Sequence, residues 1–242
     1  MSARPPFVST TDGDLGVPVL VFARAPVAGQ CKTRLIPAYG ALGAVRIHRA
    51  LLQRSVAVAL NAGCGPVQLW SASRGRHPVL QSLARGATGG LRHQCAGDLG
   101  RRMAQALNSA LRAGYRAALL IGTDTVELSA EDLRGAAHRL LDGADAVLQP
   151  ATDGGYVMIG TRRALPGVLR GIEWSSGREL DQTCARLRQH GWRITLQPPR
   201  ADIDHPADVR RARRQGWDWR QEAVLPAAPS RPTQSLLQGA PS

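Results

Sequence analysis

The chain has 242 residues, 43% of them hydrophobic, which is enough for one full α/β core with short appendages. No stretch approaches the roughly 18–20 consecutive apolar residues of a membrane span, and residues 1–16 lack the apolar core of a signal peptide. A cytoplasmic protein without a membrane span is therefore expected. The formal net charge is +13, but the arginines are scattered and no aromatic residues interleave with the densest cluster, Arg210 to Arg214. That pattern argues against a dedicated nucleic-acid surface. Cys31, Cys64, Cys95 and Cys184 contain no C-x-x-C pair and read as reduced thiols.

Residues 1–16 read as a loose leader. Val17 to Ala23 is an apolar run suited to a buried parallel strand. The loop 24–38 carries two prolines and Gly29. Tyr39 to Ala62 has helical spacing and ends at Gly63-Cys64-Gly65-Pro66. Val67 to Ser71 reads as a strand, Pro78 to Arg85 as a short helix and Leu91 to Cys95 as a weak strand. Asp98 to Gly114 reads as a helix with an acid at its N-terminus.

Tyr115 to Gly122 is the clearest buried strand. Ser129 with Asp132 predicts a capping box for a helix reaching Asp142. Strands follow at Ala144 to Leu148 and Gly155 to Thr161. A helix is expected over Ser175 to Gly191, a strand over Trp192 to Leu196 and a helix over His205 to Arg214. Residues 17–215 thus form one domain, and 216–242, rich in Pro, Ala, Ser and Gln, read as a mobile tail. Alternating strands and helices predict an α/β fold, a mainly parallel sheet sandwiched by helices. Ligands of such sheets sit outside the carboxyl ends of the strands.

Four constellations stand at those ends. Lys32 is the only lysine in the chain, in a loop where Gly29 lets backbone approach a phosphate and Arg24 and Arg34 add cations. The loop lacks the first glycine of a Walker motif, and no G-x-G-x-x-G is present. Gly122-Thr123-Asp124 ends the strongest strand, where a carboxylate can hold a hard divalent cation. Glu127 lies three residues on, as a substrate or supporting contact. Asp153-Gly154-Gly155-Tyr156 pairs an acid with a tight turn, fit for sugar recognition, for a general base, or for a plain hairpin. In Asp202-Ile203-Asp204-His205-Pro206-Ala207-Asp208, Asp204 or Asp202 could complete a metal site with Asp124, or Asp204 could cap the following helix.

As an ordered set these segments resemble the DUF2064 family, whose members are also described as glycosyltransferases of the arsenosugar-biosynthesis or radical-SAM-selenodomain-associated type. The resemblance runs from Phe22-Ala23-Arg24 to Leu35, through Gly97 to Met103, Gly122 to Asp124, Asp153 to Gly160 and Ile172 to Ser175, to Asp202 to Asp208. It implies a GT-A, nucleotide-diphospho-sugar-transferase-like fold. It implies a nucleotide or phosphate site at Ala23, Arg24, Gly29, Lys32, Arg34, Asp98, Arg101 and Arg102. It implies Mg²⁺ or Mn²⁺ on Asp124, with Asp204 as a second ligand. Read from the residues, Glu127, Gly154, Gly155, Tyr156 and Trp174 are candidate substrate contacts, and Asp153, the candidate catalytic residue, would bind the sugar or deprotonate the acceptor. The function implied is sugar transfer from a nucleotide sugar to a small-molecule acceptor. A nucleotidyltransferase using a nucleoside triphosphate and a degenerate nucleotide-binding module are the alternatives. Two segments depart from the family pattern. Thr125-Val126 stand where a small residue and a proline are usual, which predicts a looser turn after Asp124. Thr152 stands where an acid is usual.

Overall fold

The computed structural model describes residues 14–222 apart from positions 74 and 166. Most of the expected leader, and the expected tail beyond 222, lie outside the described residues. In chain order the elements are β1 (Val19–Ala23), α1 (Ile36–Ala62), β2 (Val67–Ser71), α2 (Pro78–Gly86), β3 (Leu91–His93), α3 (Leu99–Arg112) and β4 (Ala118–Ile121). They continue with α4 (Ala130–Leu141), β5 (Ala146–Pro150), β6 (Tyr156–Thr161), α5 (Glu179–Gln189), β7 (Ile194–Leu196) and α6 (Pro206–Arg214).

The seven strands form one sheet in the order β3-β2-β1-β4-β6-β5-β7. All neighbours pair parallel except β6, which runs antiparallel to both β4 and β5. The Asp153-Gly154-Gly155 segment is therefore a hairpin turn as well as a candidate site. Strand alternation sorts the core into two layers. Val19, Val21, Leu69, Leu119, Ile121 and Val147 face α1, α2 and α4 through Leu52, Val56, Leu80, Leu133 and Leu140. Leu20, Trp70, Leu120, Leu148 and Ile159 face α3 and α5 through Met103, Leu107 and Leu187. The fold is α/β with helices on both faces, as the sequence predicts.

The first helix starts three residues before the expected Tyr39, with a break at Gly40 (φ 68°). The helix expected from Ser175 starts only at Glu179, because Ser175 and Gly177 adopt positive φ and cannot continue a helix. Ordered packing continues past residue 215. Trp217 is buried against Val209, Ala212 and Leu51 in a third cluster, and its indole N–H donates to Glu222 at 2.7 Å. Apolar packing thus holds the chain beyond α6.

The chain runs outward from β1 through β2 to β3, then returns to β4 on the other side of β1. Val21 of β1 lies in register with Ile121 of β4. The loops leaving these two strands therefore start side by side, at the place where strand order reverses and open sheets bind ligands.

A second contact fixes the far side. Gly154 (φ 93°) lies so close to Gly177 that an added Cβ would sit 2.0 Å from its carbonyl oxygen. Gly154→Ala is therefore expected to lower the unfolding free energy by about 3 kcal/mol, from left-handed strain plus the clash. Gly114 (φ 95°) has open space around it, so Gly114→Ala should lose only about 1 kcal/mol. Urea unfolding of both variants checks the contrast, and equal losses would show that the Gly154–Gly177 contact is not tight.

Candidate active site

The site is built where the β1 loop, the β4 loop and the segment before α6 meet. After Ala23 the chain turns through residues 24–32 and ends in Lys32, which has left-handed backbone (φ 46°, ψ 45°). That conformation costs a non-glycine residue roughly 1–2 kcal/mol and marks a position held by its surroundings. Its carbonyl accepts the Leu35 N–H at 2.9 Å, and its side chain is held by ionic contacts. Lys32 Nζ lies 2.5 Å from Asp124 Oδ1 and 2.9 Å from Asp204 Oδ1, and the lysine side chain is only 5% exposed. Arg34 reaches the other oxygen of Asp204 at 3.4 Å.

Asp204 is delivered by a braced segment. Ile203 N–H donates to the Asp124 carbonyl at 2.7 Å. Thr125 Oγ1 donates to the Ala201 carbonyl at 2.7 Å and accepts the Glu127 N–H at 3.1 Å. Glu127 Oε2 accepts the Ala201 N–H at 2.8 Å. Arg200 makes a two-pronged pair with Asp132, the residue that closes the predicted Ser129 capping box. Asp208 accepts the backbone N–H groups of Asp204 and His205. Two expectations change here. The turn after Asp124 is pinned by Thr125 and by buried Val126, not loosened. His205 holds the N-cap position of α6 and Asp208 closes its capping box, which leaves the Asp204 carboxylate for Lys32.

The electrostatics follow from this crowding. Burial pulls the Lys32 ammonium down, but Asp124 and Asp204 outweigh it and hold its pKa above the usual lysine value. Desolvation pushes the Asp124 carboxyl up, but Lys32 outweighs it and keeps Asp124 below the ordinary carboxylate range. Asp124 remains 54% exposed, so its other face is open. For Asp202 the pull of Lys32 is outweighed. Burial, then Asp124 and Asp153, push it up to about 7.

The surrounding cavity has a volume of about 550 Å³, within the range of small-molecule sites. Ala23, Arg24, Lys32, Arg34, Arg102, Asp124, Tyr156 and Asp204 line it. The structure thus brings together the core of the predicted set. Arg102 is aimed by the Asp98 carbonyl at 3.2 Å and by Gln94 at 3.4 Å.

Other predicted residues stand off the wall. Asp98 caps α3 by accepting the Arg101 N–H at 2.7 Å, and the Arg101 side chain packs against Gly97. Gly29 (φ 77°) shapes the loop. Glu127 is committed to Ala201 and lines a separate pocket, so it braces the site from outside. Asp153 is exposed and accepts the Gly155 N–H at 3.0 Å. Gly154 and Gly155 form its turn. Trp174 backs Tyr156 edge-on, with ring centroids 6.4 Å apart.

The sequence reading missed His48 and Gln94. His48 is buried in α1, bonds the Arg24 carbonyl at 3.0 Å and lines the cavity. Burial lowers its pKa, keeping the ring neutral. A histidine within a long helix gives no local signal of such a position. Phe22, Leu120, Met103, Met158 and Ile159 supply an apolar wall.

Whether these residues suit a divalent cation is decided by the donor set. Mg²⁺ commonly takes one or two protein carboxylates and completes its shell with water and phosphate oxygens. Asp124 and Asp204 fit that pattern, since both aim hard oxygens at the single point now held by Nζ. Among the described residues no three Asp, Glu, His or Cys side chains form a metal cage, so further ligands would come from substrate and solvent.

Residues 55–176 match the family described as "Uncharacterized protein conserved in bacteria (DUF2064)", and the chain belongs to that family. No curated protein matches it. Among solved structures, one of an inferred nucleotide-diphospho-sugar transferase from Desulfovibrio desulfuricans G20 is 26% identical. The match covers 86% of this chain and 91% of that one, with a TM-score of 0.74. A 4-diphosphocytidyl-2C-methyl-D-erythritol synthase from Anaerococcus prevotii is 11% identical, covering 84% and 96%, with a TM-score of 0.53. A Methanothermobacter nucleotidyl transferase is 16% identical, covering 82% and 97%, with a TM-score of 0.52. The last two share the fold, which is nucleotide-diphospho-sugar-transferase-like.

Asp202 makes the site's charge measurable through stability. Its folded pKa, about 7, lies above the ordinary carboxylate value, so the native state keeps the proton longer than the unfolded chain. The penalty is absent near pH 4, grows as pH rises and is complete above pH 7, up to about 4 kcal/mol. Asp202→Asn should therefore gain stability relative to the parent on going from pH 4 to pH 8. Urea unfolding at both pH values tests this, and an equal difference at both would refute it.

Proposed function

We propose that the protein is a divalent-cation-dependent transferase that moves a sugar from a nucleotide-sugar donor to a small-molecule acceptor. The observation that carries this reading is the meeting of Lys32, Asp124 and Asp204 in a cavity at the β1–β4 switch point. Several cations and a pair of convergent carboxylates lining one cavity suit a diphosphate escorted by a metal ion. The similarity to an inferred nucleotide-diphospho-sugar transferase points the same way.

Arg24, Arg34 and Arg102 would bind donor phosphates, with Arg102 presented by Asp98 and Gln94. The apolar wall of Phe22, Leu120 and Met103 would take the flat or apolar parts of the donor and exclude water. Asp124 and Asp204 would hold Mg²⁺ or Mn²⁺, which supplies Lewis-acid stabilisation of the leaving diphosphate. Tyr156, backed by Trp174, would form the sugar-side wall. Asp153 has an exposed carboxylate next to this wall and is the group we assign to take the acceptor hydroxyl proton. The Gly154–Gly177 contact would fix that turn.

The test is calorimetric titration and a turnover assay across UDP-, GDP- and other nucleotide sugars with Mg²⁺ or Mn²⁺, with nucleoside triphosphates in parallel. One nucleotide sugar should bind and turn over only with metal. Lys32→Ala should weaken its binding roughly 10- to 100-fold, the loss of charge-assisted contacts. Asp124→Asn should cut turnover about 100- to 1000-fold, the usual cost of losing one electrostatic stabiliser. Turnover of triphosphates with pyrophosphate release, and none of nucleotide sugars, would replace this reading with nucleotidyl transfer. Binding without turnover, unaffected by Asp124→Asn, would leave a non-catalytic nucleotide module.

A further inference from the structure

We propose that Lys32 shares one seat with the divalent cation: its ammonium closes the Asp124–Asp204 pair, is displaced when the ion takes those carboxylates, and then pairs with the diphosphate. The inference rests on the reading of the site as cation-dependent and adds an order of events to it.

Three observations support it. The first is geometric. The two carboxylates come from segments 80 residues apart in the chain and converge on one point, and Nζ occupies that point at 2.5 and 2.9 Å. An ion bound by both would stand within a few ångströms of the ammonium, where like charges repel. Both cannot hold the pair at once.

The second is conformational. Lys32 has left-handed backbone at the end of a loop that turns at Gly29 (φ 77°). The ionic contacts of its side chain and the Leu35 N–H bond to its carbonyl at 2.9 Å accompany this disfavoured conformation, so releasing the ammonium removes part of what offsets the strain.

The third is the local charge. Asp124 and Asp204 hold Lys32 between them, and Arg34 pairs with Asp204 from the exposed side. Lys32 and Arg34 line the same cavity as Arg24 and Arg102. A displaced ammonium therefore stays beside the wall assigned to phosphate. The coupling runs both ways, as linkage requires: the ion frees a phosphate ligand, and phosphate stabilises the freed lysine.

The single lysine makes the test direct. Full-length protein carrying [ε-¹³C]lysine gives one ε-methylene signal, that of Lys32. Its shift is followed by NMR during titration with Mg²⁺ alone, then with inorganic pyrophosphate with and without Mg²⁺. Mg²⁺ binding is measured in parallel by calorimetry on the parent, on Lys32→Met and on Asp124→Asn.

The expected result is a saturable Mg²⁺-dependent shift that Asp124→Asn abolishes, and a second shift with pyrophosphate only when Mg²⁺ is present. Lys32→Met should bind Mg²⁺ at least about tenfold more tightly, because the competing cation is gone. If Lys32→Met does not fold, the parent's lysine signal decides alone. Calorimetric Mg²⁺ binding with an unmoved Lys32 signal, and equal affinity in Lys32→Met, would overturn the shared seat while leaving the cation-dependent reading standing. No Mg²⁺ binding by parent or by Lys32→Met would overturn both.

Discussion

A buried ammonium held between two carboxylates organises the candidate site. A buried ammonium is costly unless it is paired, and here two half-exposed carboxylates share that pairing. The Lys32 side chain is nearly inaccessible, so the β1 loop, the β4 loop and the segment before α6 must keep their relative positions for it to remain satisfied. The remaining contacts of the site can be understood as ways of keeping those three pieces in place. They also explain why a lysine sits in a backbone conformation it would not choose.

The bracing is mostly backbone-directed. Ile203 bonds the Asp124 carbonyl, Thr125 bonds the Ala201 carbonyl and Glu127 takes the Ala201 N–H. These short links make residues 124–127 and 200–204 behave as one unit. The unit is tied to the core by the half-buried Arg200–Asp132 pair and by Val126 and Ile203 in the third apolar cluster. Placing two acids near each other is unfavourable unless rigid structure imposes it, and this network imposes it. The raised Asp202 carboxyl is the cost of that arrangement showing through.

The sheet and most helices were legible in the sequence because their signals are local. Buried strands such as Ala118–Ile121 are short apolar runs, and Ser129 with Asp132 states its own cap. The antiparallel direction of β6 was less visible, since an Asp-Gly-Gly turn suits either a site or a hairpin and here serves as the hairpin. The packing of Trp217 depends on a surface made by α1 and α6, which no window around residue 217 contains. The same distinction holds for the site. Lys32, Asp124 and Asp204 were recognisable as strand-end polar residues. Their mutual pairing across 172 residues was not, and the sequence reading gave the lysine to phosphate and the acids to metal. His48 and Gln94 were missed because their importance comes entirely from what the fold sets beside them.

The pairing also accounts for the one lysine in a chain that otherwise uses arginine. A guanidinium is a planar fork that prefers both oxygens of a single carboxylate in its own plane. The geometry here is different: one nitrogen receives one oxygen from each of two carboxylates, at 2.5 and 2.9 Å. Only a compact point charge can stand at such a vertex, and an ammonium matches the oxygen preferences of a small metal ion more nearly than a guanidinium does. Arg34, which needs no such fit, approaches Asp204 from the exposed side at 3.4 Å. The distribution of the two residue types is thus a consequence of shape. Arginine serves where a fork fits, as Arg200 does on Asp132, and lysine stands where one nitrogen must meet two carboxylates.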